Sequence, residues 1–146
     1  MIYLMADSGP NAILEPVARV AGPKNIPILV DAAAEVLTIP NVHLQRGATV
    51  VAYSGGKAIC GPQCAGLLLG RKDILQSAWQ ASAPHHGPGR DNKVGREETL
   101  GMLAAVEAWV KRDHAAEWKT CSYRHSFHTG KGRDSRHRLP AERERL

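Results

Sequence analysis

Two side chains at the ends of predicted strands have the types that an aldehyde cofactor requires. The apolar run 26–30 leads directly into Asp31. A second run, 48–53, leads through Ser54-Gly55-Gly56 to Lys57. Open α/β sheets bind ligands at the carboxyl ends of their strands, so both side chains are expected at one edge. An amine that forms a Schiff base, with an acid that keeps a pyridine nitrogen protonated, predicts pyridoxal phosphate as the cofactor.

The spacing of these residues also fits a purely structural interpretation. Glycines beside Lys57 let the backbone approach a ligand closely, but glycines are equally typical of turns. In the second interpretation Lys57 is a solvated turn residue and Asp31 caps a helix. The spacing alone leaves both interpretations open.

Four stretches carry a more specific pattern than the lysine and the aspartate alone. They are, in chain order, Val30-Asp31-Ala32-Ala33-Ala34-Glu35, Ser54-Gly55-Gly56-Lys57-Ala58-Ile59, Gly61-Pro62-Gln63 and Lys93-Val94-Gly95-Arg96-Glu97-Glu98. Together they resemble the L-seryl-tRNA(Sec) selenium transferase family, whose bacterial relatives include D-glucosaminate-6-phosphate ammonia-lyases. The resemblance spans residues 1–118.

The resemblance implies roles for four residues at the cofactor. Lys57 corresponds to the lysine that forms the internal aldimine, and Asp31 to the partner of the pyridine nitrogen. Ala33 corresponds to the small residue under the cofactor ring. Ser54 lies where related enzymes place a hydroxyl near the cofactor phosphate. The implied fold is the large domain of fold type I enzymes, a three-layer α/β/α structure whose mostly parallel sheet has one antiparallel strand.

The reaction and the substrate are less narrowly specified. Lys57 is expected to remove the α-proton of an amino acid, after which a group leaves the β-carbon. The resemblance allows β-replacement on seryl-tRNA or ammonia loss from an amino-sugar acid, and it implies a homo-oligomer. Arg90 and Lys93, in or next to a turn-rich link, are candidates for binding an anionic substrate group or a phosphate. Their alternative is that of solvated loop charges.

The same resemblance implies parts that the motifs do not include. Family members carry a phosphate-binding loop before the matched region and a small domain after it. We therefore expect the chain to be a fragment of the large domain, so its own enzymatic activity is an open question. The alternative is an inactive remnant, or an oligomerisation or RNA-binding piece.

Charge separates the last part of the chain from the rest. Residues 1–118 contain 11 Lys or Arg and 11 Asp or Glu, whereas residues 119–146 contain 8 and 3. The basic segment also lacks apolar periodicity, which predicts a disordered tail from residue 119. Such a tail is typical of a frameshifted gene end or of an RNA-binding arm.

Composition excludes several other classes of protein. The 146 residues, 43% of them hydrophobic, fit one globular domain. The sequence has neither a membrane-length apolar run nor a basic leader, so a cytoplasmic location is expected. The three cysteines form no metal-ligand set, and no metal is expected.

Apolar periodicity predicts alternating strands and helices, which indicates an α/β sheet. The predicted strands are 2–5, 27–31, 49–54 and 66–69, and the predicted helices are 13–21, 41–46, 71–81 and 94–117. Strand 66–69 is predicted to be antiparallel because its link to the preceding strand is too short for a crossover helix.

Overall fold

The computed structural model describes residues 1–6 and 12–116, and each predicted strand and helix has a counterpart there. The strands are β1 (Ile2–Met5), β2 (Ile28–Asp31), β3 (Val50–Ser54) and β4 (Gly66–Gly70). The helices are α1 (Leu14–Ala21), α2 (Val42–Gln45), α3 (Lys72–Ala81) and α4 (Arg96–Lys111). The predicted disordered tail, 119–146, lies outside the described residues.

The four strands form one mixed sheet in the order β1-β2-β3-β4. The pairs β1–β2 and β2–β3 are parallel, and α1 and α2 provide their crossovers. The pair β3–β4 is antiparallel, with Ser54 opposite Gly66. A short link permits only an antiparallel return, so the prediction of a mostly parallel sheet with one antiparallel strand is confirmed.

One face of the sheet carries the hydrophobic core, and we call it the closed face. Alternate residues of the two central strands are buried there, because successive side chains of a strand point to opposite faces. Helices α1 and α4 pack apolar residues into the same cluster. Its members include Ile28, Val30, Val51 and Tyr53 from the sheet and Leu14, Ala21, Met102 and Trp109 from the helices.

The opposite face, which we call the open face, is much less covered near the carboxyl ends of β1, β2 and β3. Met5, Asp31, Ala52 and Leu68 form one row across all four strands. Met5 and Leu68 are exposed, and Asp31 and Ala52 are half-buried. Helix α3 contacts β4 but has no buried residue. The open face therefore leaves the end of β2 accessible.

Helix α4 carries an apolar stripe that the chain's own core covers only in part. In the sequence its apolar residues recur at helical spacing, which predicts one face for the core or for a subunit interface: Met102, Leu103, Val106, Trp109 and Val110. In the structure Met102 and Trp109 are buried, and the Trp109 indole donates to the Leu37 carbonyl at 3.0 Å. Leu103 and Val110 are exposed. The core of this chain therefore takes part of the predicted stripe, and a role of the remainder as a subunit interface stays a prediction.

The chain divides into two compact units, residues 1–111 and residues 112–146. In the second unit only residues 112–116 are described, and there Ala116 N donates to the Asp113 carboxylate at 3.0 Å. Among the described residues, no helix has both the length and the apolar character needed to cross a membrane.

Candidate cofactor site

Asp31 ends β2 with its carboxylate held by two hydrogen bonds. The Tyr3 hydroxyl donates to Oδ2 at 2.7 Å, and the Ala33 backbone N–H donates to Oδ1 at 3.0 Å. These two donors lower the pKa of Asp31, Tyr3 most strongly; burial opposes the shift, and the positive charge of Lys57 lowers the pKa least of all. Asp31 is therefore an ionised carboxylate at neutral pH.

Tyr3 is a site residue that the sequence analysis missed. It lies on β1 on the same face as Asp31, two residues from Met5, the direct pairing partner of Asp31. The hydrogen bond to Asp31 is the main cause that raises the pKa of the Tyr3 phenol, so the proton stays on the tyrosine. Strand alternation puts Tyr3 and Met5 on one face, but only the β1–β2 register brings Tyr3 to Asp31.

Lys57 lies in a tightly closed loop between β3 and β4. Gly55 N donates to the Ala65 carbonyl at 2.9 Å, and Gly61 N donates to the Gly55 carbonyl at 2.7 Å. Cys60 N donates to the Lys57 carbonyl at 2.9 Å, which closes a turn that begins at the lysine. The Lys57 side chain is exposed. The loop thus fixes the backbone of the lysine and leaves its amine accessible.

Gly55 is required by the close packing of this loop. A Cβ atom there would lie 2.5 Å from the Pro62 carbonyl oxygen and 2.7 Å from that of Ala65. It would also lie 2.9 Å from Met102 Sδ on α4. Real side chains do not approach backbone this closely, so the loop in its present form requires glycine at position 55.

Asp31, Ala33 and Ser54 lie at or just beyond the carboxyl ends of the neighbouring strands β2 and β3. Asp31 pairs with Ala52, and Ser54 lies two residues further along β3 on the same face. The Ser54 side chain is half-buried and makes no hydrogen bond to a described residue. Ala33 follows Asp31 and is half-buried. The charge of Lys57 acts on Asp31 from the next loop.

Arg90 and Lys93 lie elsewhere, in the loop that joins α3 to α4. Gly89 N donates to the Ala81 carbonyl at 2.8 Å, and Arg90 N to the Gly87 carbonyl at 3.0 Å, which organises the loop. Arg90 is half-buried and Lys93 is exposed. Within residues 1–6 and 12–116, no ion pair or hydrogen bond joins either cation to Asp31 or Lys57.

These residues fit pyridoxal phosphate. The ring nitrogen needs an ionised carboxylate, and Asp31 provides one with unused lone pairs on an accessible face. The carbonyl carbon needs an amine, and Lys57 presents one from a rigid loop. Ser54 offers an unused hydroxyl to the phosphate. The Asp31 carboxylate and the Ser54 hydroxyl lie at the same end of the open face, and Lys57 lies in the loop that adjoins it.

The mixed sheet, with its helices and its lysine loop, has the architecture of pyridoxal-phosphate-dependent enzymes of fold type I. No protein-family model matches the chain. Over 89 residues, 61% of the chain, it is 36% identical to D-glucosaminate-6-phosphate ammonia lyase of Salmonella typhimurium. Over 101 residues, 66% of the chain, it is 33% identical to 5'-C-glycyluridine monooxygenase-decarboxylase of Streptomyces sp..

The comparison of structures agrees with the comparison of sequences. A solved structure of D-glucosaminate-6-phosphate ammonia-lyase superposes on 76% of the chain with a TM-score of 0.62 and 29% identity, covering 30% of that protein. The chain spans only 22% and 23% of the two curated relatives. D-Glucosaminate-6-phosphate ammonia-lyase is a pyridoxal-phosphate-dependent enzyme of fold type I, which supports the predicted cofactor.

Proposed function

We propose that the chain is the part of a pyridoxal-phosphate-dependent lyase or transferase that carries the cofactor lysine and the carboxylate paired with the ring nitrogen. The observation that supports this most directly is the Asp31 carboxylate at the carboxyl end of β2, which Tyr3 and the Ala33 N–H hold on the open face. The exposed Lys57 follows the end of the neighbouring strand β3. Neither group belongs to the hydrophobic core, so both can reach a ligand.

Pyridoxal phosphate supplies an electron sink for the negative charge that develops at the substrate α-carbon. In this proposal the Lys57 amine would hold the cofactor and would serve as the base for the substrate α-proton. The ionised Asp31 carboxylate would keep the ring nitrogen protonated. Ala33 would leave room for the ring, and the Ser54 hydroxyl would bind the phosphate.

The substrate proposed is an amino acid with a leaving group on its β-carbon. The 36% identity with D-glucosaminate-6-phosphate ammonia lyase favours a phosphorylated amino-sugar acid. Arg90 and Lys93 are then the cations assigned to its anionic groups. Seryl-tRNA, as the substrate of a selenium-transferase reaction, is the alternative that the sequence motifs support. Assembly as a homo-oligomer belongs to the same proposal.

Reduction with borohydride in the presence of pyridoxal phosphate tests the cofactor assignment. Reduction makes the bond between lysine and cofactor permanent, so it captures weak occupancy as well as tight binding. We expect peptide mapping to find the label on Lys57 and to find less of it in Asp31→Asn, which keeps the shape of Asp31 but removes its charge.

The matched control for Lys57→Ala is Lys72→Ala. Lys72 is an exposed lysine at the start of α3 and takes no part in the proposed site. Lys57→Ala should lose the label and Lys72→Ala should keep it. A label on Lys72 or Lys93 in place of Lys57 would show that the assignment is wrong.

A further inference from the structure

The contact between Tyr3 and Asp31 lacks the features of a contact that stabilises the core. Tyr3 is 59% exposed, and its hydroxyl reaches across from β1 to β2 at 2.7 Å from Asp31 Oδ2. Holding an exposed side chain in one rotamer costs conformational entropy, and an exposed hydrogen bond returns little stability. The tyrosine does, however, fix the orientation of one carboxylate oxygen.

We propose that Tyr3 is a positioning residue for Asp31: with the Ala33 N–H, its hydroxyl clamps the carboxylate so that a lone pair remains for a protonated ring nitrogen. This inference rests on the proposed function. A carboxylate accepts up to about four hydrogen bonds. Two are in place, one on each oxygen, so the clamp leaves acceptor capacity on both oxygens.

The clamp acts on charge as well as on orientation. Tyr3 is the strongest of the influences that lower the pKa of Asp31, ahead of the Ala33 amide and the Lys57 charge. The open face exposes Asp31 to water, where an unclamped carboxylate can rotate. A phenol that keeps its own proton is suited to this role, because it donates without competing for negative charge.

Tyr3→Phe in the full chain tests the clamp, because it removes only the hydroxyl. Two quantities are measured: the Asp31 titration by carboxyl carbon NMR, and the concentration of pyridoxal phosphate that gives half-maximal borohydride labelling of Lys57. We expect the pKa of Asp31 to rise and the half-maximal concentration to increase about three- to tenfold, the loss expected for one ordinary hydrogen bond, because Tyr3 acts on the cofactor only through Asp31.

Tyr53→Phe is the matched control, since the buried Tyr53 hydroxyl accepts from Asn41 Nδ2 at 2.8 Å and does not contact Asp31. It should lower the melting temperature without moving the Asp31 titration. An unchanged Asp31 titration in Tyr3→Phe, or a shifted titration with unchanged labelling, overturns the clamp and leaves the proposed function intact. Absence of label on Lys57 in the unaltered chain overturns both.

Discussion

The two faces of the sheet are built by the same four strands, yet they differ in what their side chains do. On the closed face Val30 and Val51 are 1% and 0% exposed, and apolar helix residues pack against them. On the open face Tyr3 and Met5 are 59% and 74% exposed. The closed face supplies the burial that stabilises the chain, and the open face supplies accessible polar atoms.

The difference also decides which polar groups each face can carry. Two hydrogen bonds toward the closed face join neutral groups, from Asn41 to Tyr53 and from Trp109 to the Leu37 carbonyl. Burying a charge without a partner costs free energy. An ionised carboxylate such as Asp31 is therefore tolerated on the less covered open face. The proposed cofactor site therefore lies on the less covered face of the sheet.

The largest expected effect comes from truncating one apolar residue on each face. Ile28 is 2% exposed on the closed face, so Ile28→Ala leaves a cavity and is expected to cost about 2–5 kcal/mol in the free energy of unfolding. Met5→Ala on the open face is expected to change it by less than about 0.5 kcal/mol. Urea unfolding of both variants measures the contrast, and equal losses would mean that the open face is covered in solution.

A smaller effect is expected from filling the lysine loop. Gly55→Ala forces a methyl group against two backbone carbonyls, so we expect a loss of about 1–3 kcal/mol and less cofactor label on Lys57. Gly22→Ala is the control for the label, because apart from the two adjacent residues a Cβ there meets nothing within 4 Å. Gly22 has helical backbone angles and precedes a proline, where a Cβ is disfavoured, so we expect some loss of stability but full label on Lys57. A fully labelled Gly55→Ala variant of normal stability would show that the loop is not rigid.

Much of the fold was predictable because short apolar runs and apolar periodicity indicate strands and helices locally. The runs before Asp31 and before Ser54 are short, apolar and followed by glycine or small residues, and both form strands. Periodicity predicted an apolar stripe on α4 but could not tell which of its residues the chain's own core would cover, and Leu103 and Val110 are exposed. It also extended α4 past Lys111, where the described helix ends.

The candidate site was predictable only in part. The sequence predicted that Asp31 and Lys57 lie at one edge of the sheet, since parallel strands bring their carboxyl ends together there. Tyr3 was missed because its contact depends on the register that pairs Met5 with Asp31, and no local pattern encodes that register. The roles of all six candidate residues stay predictions until ligand binding is measured: Asp31, Ala33, Ser54, Lys57, Arg90 and Lys93.

One histidine sharpens the contrast between the faces. His43 on α2 is 2% exposed and lines a small cavity with Leu14 and Val30 of the closed face. Among the described residues its Nε2 has no hydrogen-bond partner. Burial is the main cause that lowers the pKa of His43; the charge of Arg46 lowers it further and that of Glu35 opposes the shift. The folded chain therefore holds this imidazole neutral.

The smallest expected effect is the pH dependence that this histidine produces. Unfolding restores an ordinary histidine pKa near 6.5, so below that pH the unfolded chain binds a proton that the folded chain resists. Stability is therefore fully present above pH 6.5 and falls as the pH decreases toward the lowered pKa, by at most about 1.4 kcal/mol per pH unit for one proton. We expect His43→Leu to remove this slope between pH 7.5 and pH 5.5 in urea unfolding. Asp31, whose pKa is lowered, contributes to the pH dependence only below its ordinary value of 3.8, so the two groups separate. Equal slopes for the two proteins would mean that water reaches His43 and that the closed face is less tightly packed than the structure indicates.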